Sequence, residues 1–289
     1  MITIIYADHI DDFVPRTIDS IRSLDIFVDE CITNYSDAAY SDIQEHQRVY
    51  NKVSQGLASP DDVKVVSGRY NQARILLHAL HKTGIRVYVE RNQMEDQFRV
   101  NGRIYMGARN ALYQGNLENA LKGFREFHTR EGLMNGKRDY DLADFLIELQ
   151  KSNKDRNVGT LRGSGHTSLY HIIRGRNFPA RMVFPRMPYQ YNLSDQVQRR
   201  FIFGKKVNDK EILDGQISLA IATSLIRKNP KMSAYSARLQ ADDIVSKLSF
   251  SDVGELLKYT SENWWPELGE RHLHFILGEW LEEKAKLNL

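Results

Sequence analysis

Cysteine is nearly absent from this chain of 289 residues: Cys31 is the only one, so no disulfide can form within the chain. Such sparing use of cysteine is typical of a reducing compartment, and we expect a cytoplasmic location. Long apolar runs are missing as well. The apolar start at residues 2–5 is soon followed by acidic residues, which argues against a signal peptide. No segment approaches the ~20 apolar residues of a membrane-spanning helix, so we expect no membrane association.

Several motifs of catalysis and cofactor binding are also missing. The chain has no Gly-x-Ser-x-Gly nucleophile motif, no Walker phosphate loop, no dinucleotide fingerprint and no Cys-x-x-Cys pair. These absences argue against the commonest nucleotide-binding and zinc-ribbon proteins. The hydrophobic content of 42% and charged content of 27% are ordinary for a globular protein, and the net charge of +3 by itself indicates no particular partner.

Short runs rich in β-branched residues alternate with helical patterns in the first two thirds of the chain. The runs predict five strands, at residues 2–6, 25–30, 85–90, 157–162 and 180–184. Helical patterns fill about 37–82, with a break near 56–60, and also 105–128 and 138–151. A helix between consecutive strands suits parallel pairing. We therefore predict an α/β fold, with a mainly parallel sheet flanked by helices and long helical insertions.

The pattern is helical from residue 208 to the end. We expect residues 1–206 to form an α/β domain that carries the functional site, and residues 207–289 to form a helical C-terminal part. The latter acts either as a lid or as a packing element. The sequence does not decide the oligomeric state.

Ionisable side chains follow the predicted strands. His9, Glu30, Glu90 and His166 each lie at or just after the carboxyl end of one strand. In an open parallel sheet, ligands bind beyond these ends. If the first, second and fourth strands are neighbours, His9, Glu30 and His166 can share a pocket. Two imidazoles and a carboxylate can bind a divalent metal ion or activate a water molecule directly as general bases.

Glycines surround the turn that leads into His166. Gly163 and Gly165 allow a sharp turn between strand and helix, and backbone N–H groups there can bind an oxyanion or carboxylate. Arg162 precedes the turn. We expect these three residues, with Glu90, to contact substrate or an anion.

Arg138 and Asp139 begin the helical pattern that precedes the fourth strand. Arg138 can hold an anion in a bidentate contact, and Asp139 can orient Arg138 or a histidine. Both residues also have an ordinary structural explanation, because an acid in a first helical turn stabilises the helix dipole.

The segment from Lys137 to Ile173 resembles the second half of proteins of the TraB/Tiki clan, which includes the ChaN-like haem-uptake proteins and erythromycin esterases. In that clan an Arg-Asp helix precedes a strand that ends in Gly-x-x-His, here Gly163 to His166. An earlier Gly-x-x-His follows the first strand, and a glutamate ends the next. The resemblance covers roughly residues 2–184.

Two positions of the first clan motif differ in this chain. His9 and Glu30 match the histidine and the strand-ending glutamate, but Tyr6 replaces the glycine and Ala7 the frequent glutamate. Clan members have been described as metal-dependent proteases, esterases and haem-binding proteins. The resemblance therefore implies the fold more firmly than the reaction. Together with the ionisable residues at the strand ends, it favours a hydrolase-like protein that acts on a small molecule or peptide. The differing positions keep a non-catalytic pseudoenzyme open.

The resemblance also implies roles for individual residues. The implied catalytic set is His9, Glu30, His166, Arg138 and Asp139. A divalent metal ion, if the protein uses one, is implied to bind His9, Glu30 and His166.

Basic residues concentrate between His171 and Lys206. The segment contains eight basic residues and a single acid, Asp195. The basic residues are Arg174, Arg176, Arg181, Arg186, Arg199, Arg200, Lys205 and Lys206. Four aromatic residues lie among them: Phe178, Phe184, Tyr189 and Tyr191. This pattern suits binding of single-stranded nucleic acid or another anion. It equally suits an edge strand whose charges prevent pairing with other chains, or a surface that steers an anionic substrate.

Overall fold

The computed structural model describes residues 1–6, 14–29, 40–67, 71–90, 95–163, 166, 168–185, 191–264 and 269–284. The elements in order along the chain are β1 (Ile2–Tyr6), α1 (Val14–Arg22), β2 (Ile26–Asp29), α2 (Tyr40–Gln55), α3 (Pro60–Ser67), α4 (Asn71–Leu80), β3 (Arg86–Val89), α5 (Glu95–Tyr113), α6 (Leu117–Ser152), β4 (Val158–Arg162), α7 (Ser168–Gly175), β5 (Ala180–Val183), α8 (Leu193–Ile202), α9 (Asp209–Lys228), α10 (Ala234–Lys247), α11 (Phe250–Asn263) and α12 (Gly269–Lys284).

The described strands form one parallel sheet in the order β3-β2-β4-β1-β5. The predicted α/β fold is therefore confirmed. Strand β4 lies between β1 and β2, so the first, second and fourth strands are neighbours, which is the condition on which the predicted site depends. Tyr6 at the end of β1 pairs in register with Arg162 at the end of β4.

Side chains of the sheet alternate between two layers of helices. Ile5 and Leu161 belong to a core that includes apolar residues of α1, α2 and α4. Ile4 and Val158 belong to the core on the other face, which includes apolar residues of α6 and α7. Because side chains of a strand alternate with a period of two residues, Arg162 lies on the same face as Val158. The charged end of β4 therefore lies on the side of α6 and α7.

The chain reverses its direction across the sheet at the β1–β4 pair. From β1 it passes through α1 to β2, whereas from β4 it passes through α7 to β5 at the opposite edge. Helices α1 and α7 belong to the cores on opposite faces of the sheet. In open α/β sheets, the crevice beyond the carboxyl ends of the strands at such a reversal is where ligands bind. The topology thus places the crevice beyond Tyr6 and Arg162.

The chain divides into two compact units. Unit 1 comprises Met1–Phe98 and Met134–Tyr189 and holds the sheet; unit 2 comprises Arg99–Leu133 and Gln190–Leu289 and, in the part that the structure describes, is helical. The division of the chain into domains at 206/207, made from the sequence, stays a prediction. The compact units differ from it because a central segment of the chain joins the C-terminal helices.

The core of unit 2 is built around α9. From Ile212 to Leu225 nearly all side chains of α9 are buried. Asn208 caps the helix: its side chain accepts the backbone N–H of Glu211, and the Glu211 side chain accepts the backbone N–H of Asn208. Such a reciprocal cap satisfies two N–H groups that a helix terminus leaves without intrahelical partners.

The predicted ends of the two long helices are wrong. The break lies at residues 114–116, because Gly115 adopts a positive φ of 77° and the Asn116 side chain accepts the backbone N–H of Asn119 at 3.2 Å. Residues 129–137, predicted as a gap, are helical within α6. Glycines at 132 and 136 weaken a helical pattern in the sequence, yet a helix tolerates them. None of the described helices is both long enough and apolar enough to cross a membrane.

Candidate functional site at the carboxyl edge of the sheet

The carboxyl end of β4 turns directly into the site. Arg162 is the last residue of the strand, and the backbone N–H of His166 donates to the carbonyl of Gly163 at 3.1 Å. This bond closes a tight turn, as the glycines predict. It also uses the N–H of His166, so that group cannot donate to an anion while the turn is closed. Gly165 lies outside the described residues.

A buried carboxylate holds the imidazole of His166. Asp139 Oδ1 lies 2.7 Å from His166 Nδ1, and the other oxygen, Oδ2, accepts a hydrogen bond from Ser168 Oγ at the start of α7. Asp139 is completely buried and His166 is 8% exposed. Because an ionised carboxylate only accepts hydrogen bonds, this contact assigns the ring proton to Nδ1. Nε2 is then the nitrogen that can accept a proton or bind a metal ion. The sequence offered Asp139 as a residue that orients a histidine; it did not indicate Ser168.

Tyr6 anchors the turn from the neighbouring strand. Its hydroxyl donates to the backbone carbonyl of His166 at 3.0 Å, and its ring stacks on Phe184 with 5.6 Å between the centroids. Tyr6 is fully buried. A glycine at this position could make neither contact. In this chain, the residue that departs from the clan motif thus supports the backbone that carries His166.

Glu90 joins two arginines from different elements. Its Oε2 lies 2.9 Å from Arg162 Nη2 and 3.3 Å from Arg138 Nη2. All three side chains are nearly or fully buried, that of Arg162 with 0% exposure. Arg138 also lies over the ring of Phe98, 5.6 Å from its centroid. The network links the end of β3, the end of β4 and α6, and thereby fixes the helix that carries Asp139.

This geometry changes the interpretation of three residues that we expected to bind substrate or an anion. Glu90, Arg138 and Arg162 contact one another within the protein, so each has a positioning contact in addition to any contact with a ligand. Removing one member of such a buried ion-pair network destabilises the protein, because an uncompensated charge is then left in a medium of low polarity.

Two members of the predicted site, His9 and Glu30, lie outside the described residues. The end of β2 at Asp29, the residue before Glu30, is placed and buried. The shared pocket of His9, Glu30 and His166 therefore stays a prediction. Within the described part of the chain, no group of three histidine, cysteine or acidic side chains is arranged to hold a metal ion.

The comparisons with known proteins identify no relative. No family model, no curated protein and no solved structure matches the chain. The resemblance to the TraB/Tiki clan therefore rests on the motif residues named above and stays a prediction.

Several members of the basic segment have partners within the protein. Arg176 pairs with Asp144, Arg181 Nε donates to Thr3 Oγ1 at 3.0 Å, and Arg200 pairs with Glu211. Arg199 lies over the Tyr191 ring, 3.7 Å from its centroid. Arg186 and Tyr189 lie outside the described residues.

Strand β5 is an edge strand, as one interpretation of the segment requires. The internal pairs favour structural roles over nucleic-acid binding for these arginines.

Proposed function

We propose that the protein is a hydrolase-like enzyme of the TraB/Tiki type, in which His166 activates a water molecule. The observation that carries the proposal is the 2.7 Å contact between Asp139 and His166 at the carboxyl end of the central strand. A carboxylate on Nδ1 fixes the ring orientation and the tautomer, and it stabilises the imidazolium that forms when Nε2 takes a proton. The substrate is a small molecule or peptide.

The order of the hydrogen bonds favours water over a serine as the nucleophile. In a nucleophilic triad the histidine lies between the serine and the carboxylate, because it must remove the hydroxyl proton. Here Asp139 lies in the middle, and Ser168 donates to Asp139. Ser168 therefore fixes the carboxylate, and we assign Nε2 of His166 as the atom that accepts a proton from water.

His9 and Glu30 complete the proposed site. They follow the two strands that flank β4, and we assign them to binding and orienting the same water, either directly or as ligands of a divalent metal ion. His166 suits such a ligand set, since histidines that bind metals commonly donate their second N–H to a carboxylate, as His166 does to Asp139. When bound, a divalent metal supplies an acidified water.

Arg138, Arg162 and Glu90 have a positioning role in this proposal. Their ion-pair network holds α6 against the ends of β3 and β4, which keeps Asp139 at the distance from His166 that the orientation of the ring requires. We also assign to the guanidinium of Arg138 the stabilisation of an oxyanion formed during the reaction.

Hydrolysis assays on purified protein test the proposal. p-Nitrophenyl esters and a fluorescently labelled casein are assayed with EDTA, without additions, and with Zn²⁺ or Mn²⁺. We expect turnover of at least one probe, reduced about 10²–10⁴-fold in His166→Ala. His171→Ala is the matched control, because His171 is an exposed histidine on α7. A fully active His166→Ala variant would refute the role of His166.

A non-catalytic protein of the same fold is the second candidate. The observation that favours it is Tyr6, whose buried ring occupies the position of the motif glycine beside the His166 turn. Absence of turnover with every probe and metal, together with anion binding that His166→Ala weakens, would support this candidate. Oligonucleotide binding that falls steeply with salt would instead support a nucleic-acid partner.

A further inference from the structure

A polar cavity of about 220 Å³ lies inside unit 2, between α5, α9 and α12. At about 30 Å³ for each water molecule, it has room for roughly seven waters or one small organic molecule. Polar and aromatic side chains dominate its wall: Tyr105, Arg109 and Tyr113 from α5, Gln216 and Thr223 from α9, and His274 from α12. None of these residues belongs to the site in unit 1.

Gln216 indicates that the cavity is built for a ligand. Its side chain lines the cavity, is only 4% exposed, and makes no hydrogen bond to another described residue. Its amide atoms are not among the fully buried polar atoms of the described residues, so they face the cavity, where water or a ligand can bind them. A ligand in the cavity can replace this water and form hydrogen bonds to the amide.

The remaining polar groups favour a negatively charged ligand. Arg109 brings a positive charge to the wall, and no acidic side chain lines the cavity among the residues that the structure describes. A guanidinium carries five N–H donors and can therefore take a ligand beside the partners it already has. His274 Nδ1 lies 3.2 Å from the carbonyl of Ala220, which only accepts, so Nδ1 donates and fixes the ring. The imidazole thus forms a fixed part of the wall.

Two tyrosines contribute aromatic faces to the cavity wall, beside Leu219 and Ala220. Tyr105 packs against Phe127, with 4.9 Å between the ring centroids, and Tyr113 packs edge-on against Trp264 at 5.9 Å. These ring contacts hold both tyrosines within the core of unit 2. Flat, rigid walls of this kind suit an aromatic or similarly compact ligand body.

We propose that the cavity binds a small carboxylate, of the size of benzoate or malate. The guanidinium of Arg109 pairs with the carboxylate, and the Gln216 amide donates to it. The tyrosine rings enclose the body of the ligand. This site is independent of the proposed hydrolase activity.

Calorimetric titration of the full chain with benzoate, malate and inorganic phosphate tests the proposal. We expect saturable binding of a carboxylate at one site, and tighter binding than that of phosphate. Arg109→Met and Gln216→Leu should each weaken it by about tenfold or more. Trp264 fluorescence provides a second readout, because this side chain contacts Tyr113.

Arg103→Met is the matched control, since Arg103 is an exposed arginine on the same helix. Its affinity should equal that of the wild type. Gln216→Leu replaces a neutral residue and keeps the test valid if Arg109→Met fails to fold. Absence of saturable binding by both carboxylates, binding of phosphate alone, or binding that Gln216→Leu leaves unchanged would each overturn the proposal.

Discussion

Asp139 and His166 are 27 positions apart in the chain, on α6 and just before α7, and meet in a 2.7 Å contact between Oδ1 and Nδ1. The contact exists because β4 brings the chain back through the centre of the sheet, on the face that α6 covers. Ser168 occupies the second oxygen of Asp139. The Asp139–His166 pair is thus positioned by three elements: β4, α6 and α7.

Replacing Asp139 with asparagine should remove the orientation of His166. The neutral amide that Asp139→Asn introduces no longer stabilises an imidazolium, and it can present an N–H to Nδ1, which reverses the tautomer. We expect kcat to fall by about 10²–10⁴-fold, with a smaller change in KM. Steady-state kinetics of Asp139→Asn on the best probe measures this. The exposed neighbour variant Asp141→Asn is the control and should retain wild-type kcat.

Replacing Tyr6 with phenylalanine should destabilise the His166 turn. The change removes the hydroxyl that donates to the buried His166 carbonyl at 3.0 Å, and leaves that acceptor without this donor. We expect the free energy of unfolding to fall by about 1–3 kcal/mol. Urea unfolding of Tyr6→Phe gives the value. Tyr140→Phe, at an exposed tyrosine, should change it by less than about 0.5 kcal/mol. Equal effects of the two variants would argue against an anchoring role for Tyr6.

His128 should make the protein sensitive to acid. Its ring is 2% exposed, neither nitrogen makes a hydrogen bond within the described residues, and burial lowers its pKa from 6.5 to about 4. The unfolded chain therefore binds a proton at a higher pH than the folded protein. Above pH 6.5 the ring is neutral in both states, and the free energy of unfolding does not depend on its protonation. As the pH falls from 6.5 towards 4, the unfolded chain takes up the proton first, and the free energy of unfolding decreases.

Replacement of His128 by phenylalanine should remove this sensitivity. The difference between the two pKa values corresponds to about 3 kcal/mol. The free energy of unfolding of the wild type should fall by up to that amount relative to His128→Phe between pH 6.5 and 4. Urea unfolding at several pH values measures the difference, and His171→Phe serves as the exposed control. Parallel pH profiles for wild type and His128→Phe would contradict this account.

Two glycine variants should have opposite effects on the long helices. Gly115→Ala places a side chain at a positive φ of 77° and close to Ser261, which should cost about 1–2 kcal/mol. Gly136→Ala adds a methyl group inside α6, where nothing lies within 4 Å, and should stabilise by about 0.5–1 kcal/mol. Thermal unfolding compares them. A destabilising Gly136→Ala would argue against a continuous helix through residues 129–137.

The sheet could be predicted because its determinants are local. Runs such as residues 2–6 and 157–162 carry the strand pattern within a few positions, and the helices between them dictate parallel pairing. The central place of β4 is a condition of the predicted site that the local patterns do not decide, and the strand order of the sheet meets this condition. The helix break could not be placed, because the glycines at 115, 132 and 136 look alike in sequence, and only Gly115 adopts a positive φ.

The residues that hold the site in place were harder to predict than its charged residues. His166 stands out by its residue type and by the glycine turn, and Asp139 through the resemblance to the Arg-Asp helix of the TraB/Tiki clan. Tyr6 and Ser168 have no such signal, since their hydroxyls act on groups that only the folded sheet brings within reach. Glu90 shows the same limit: the sequence placed it correctly after a strand, but its pairing with Arg138 and Arg162 depends on tertiary packing.

The proton position on the His166 ring tests the central claim most directly. Nitrogen-15 NMR of the ring at neutral pH, assigned by comparison with His166→Gln, distinguishes the two tautomers without any substrate. We predict a proton on Nδ1 and a lone pair on Nε2, with loss of that preference in Asp139→Asn. A neutral ring protonated on Nε2 in the wild type would contradict the account, because Nε2 could then neither accept a proton from water nor bind a metal ion.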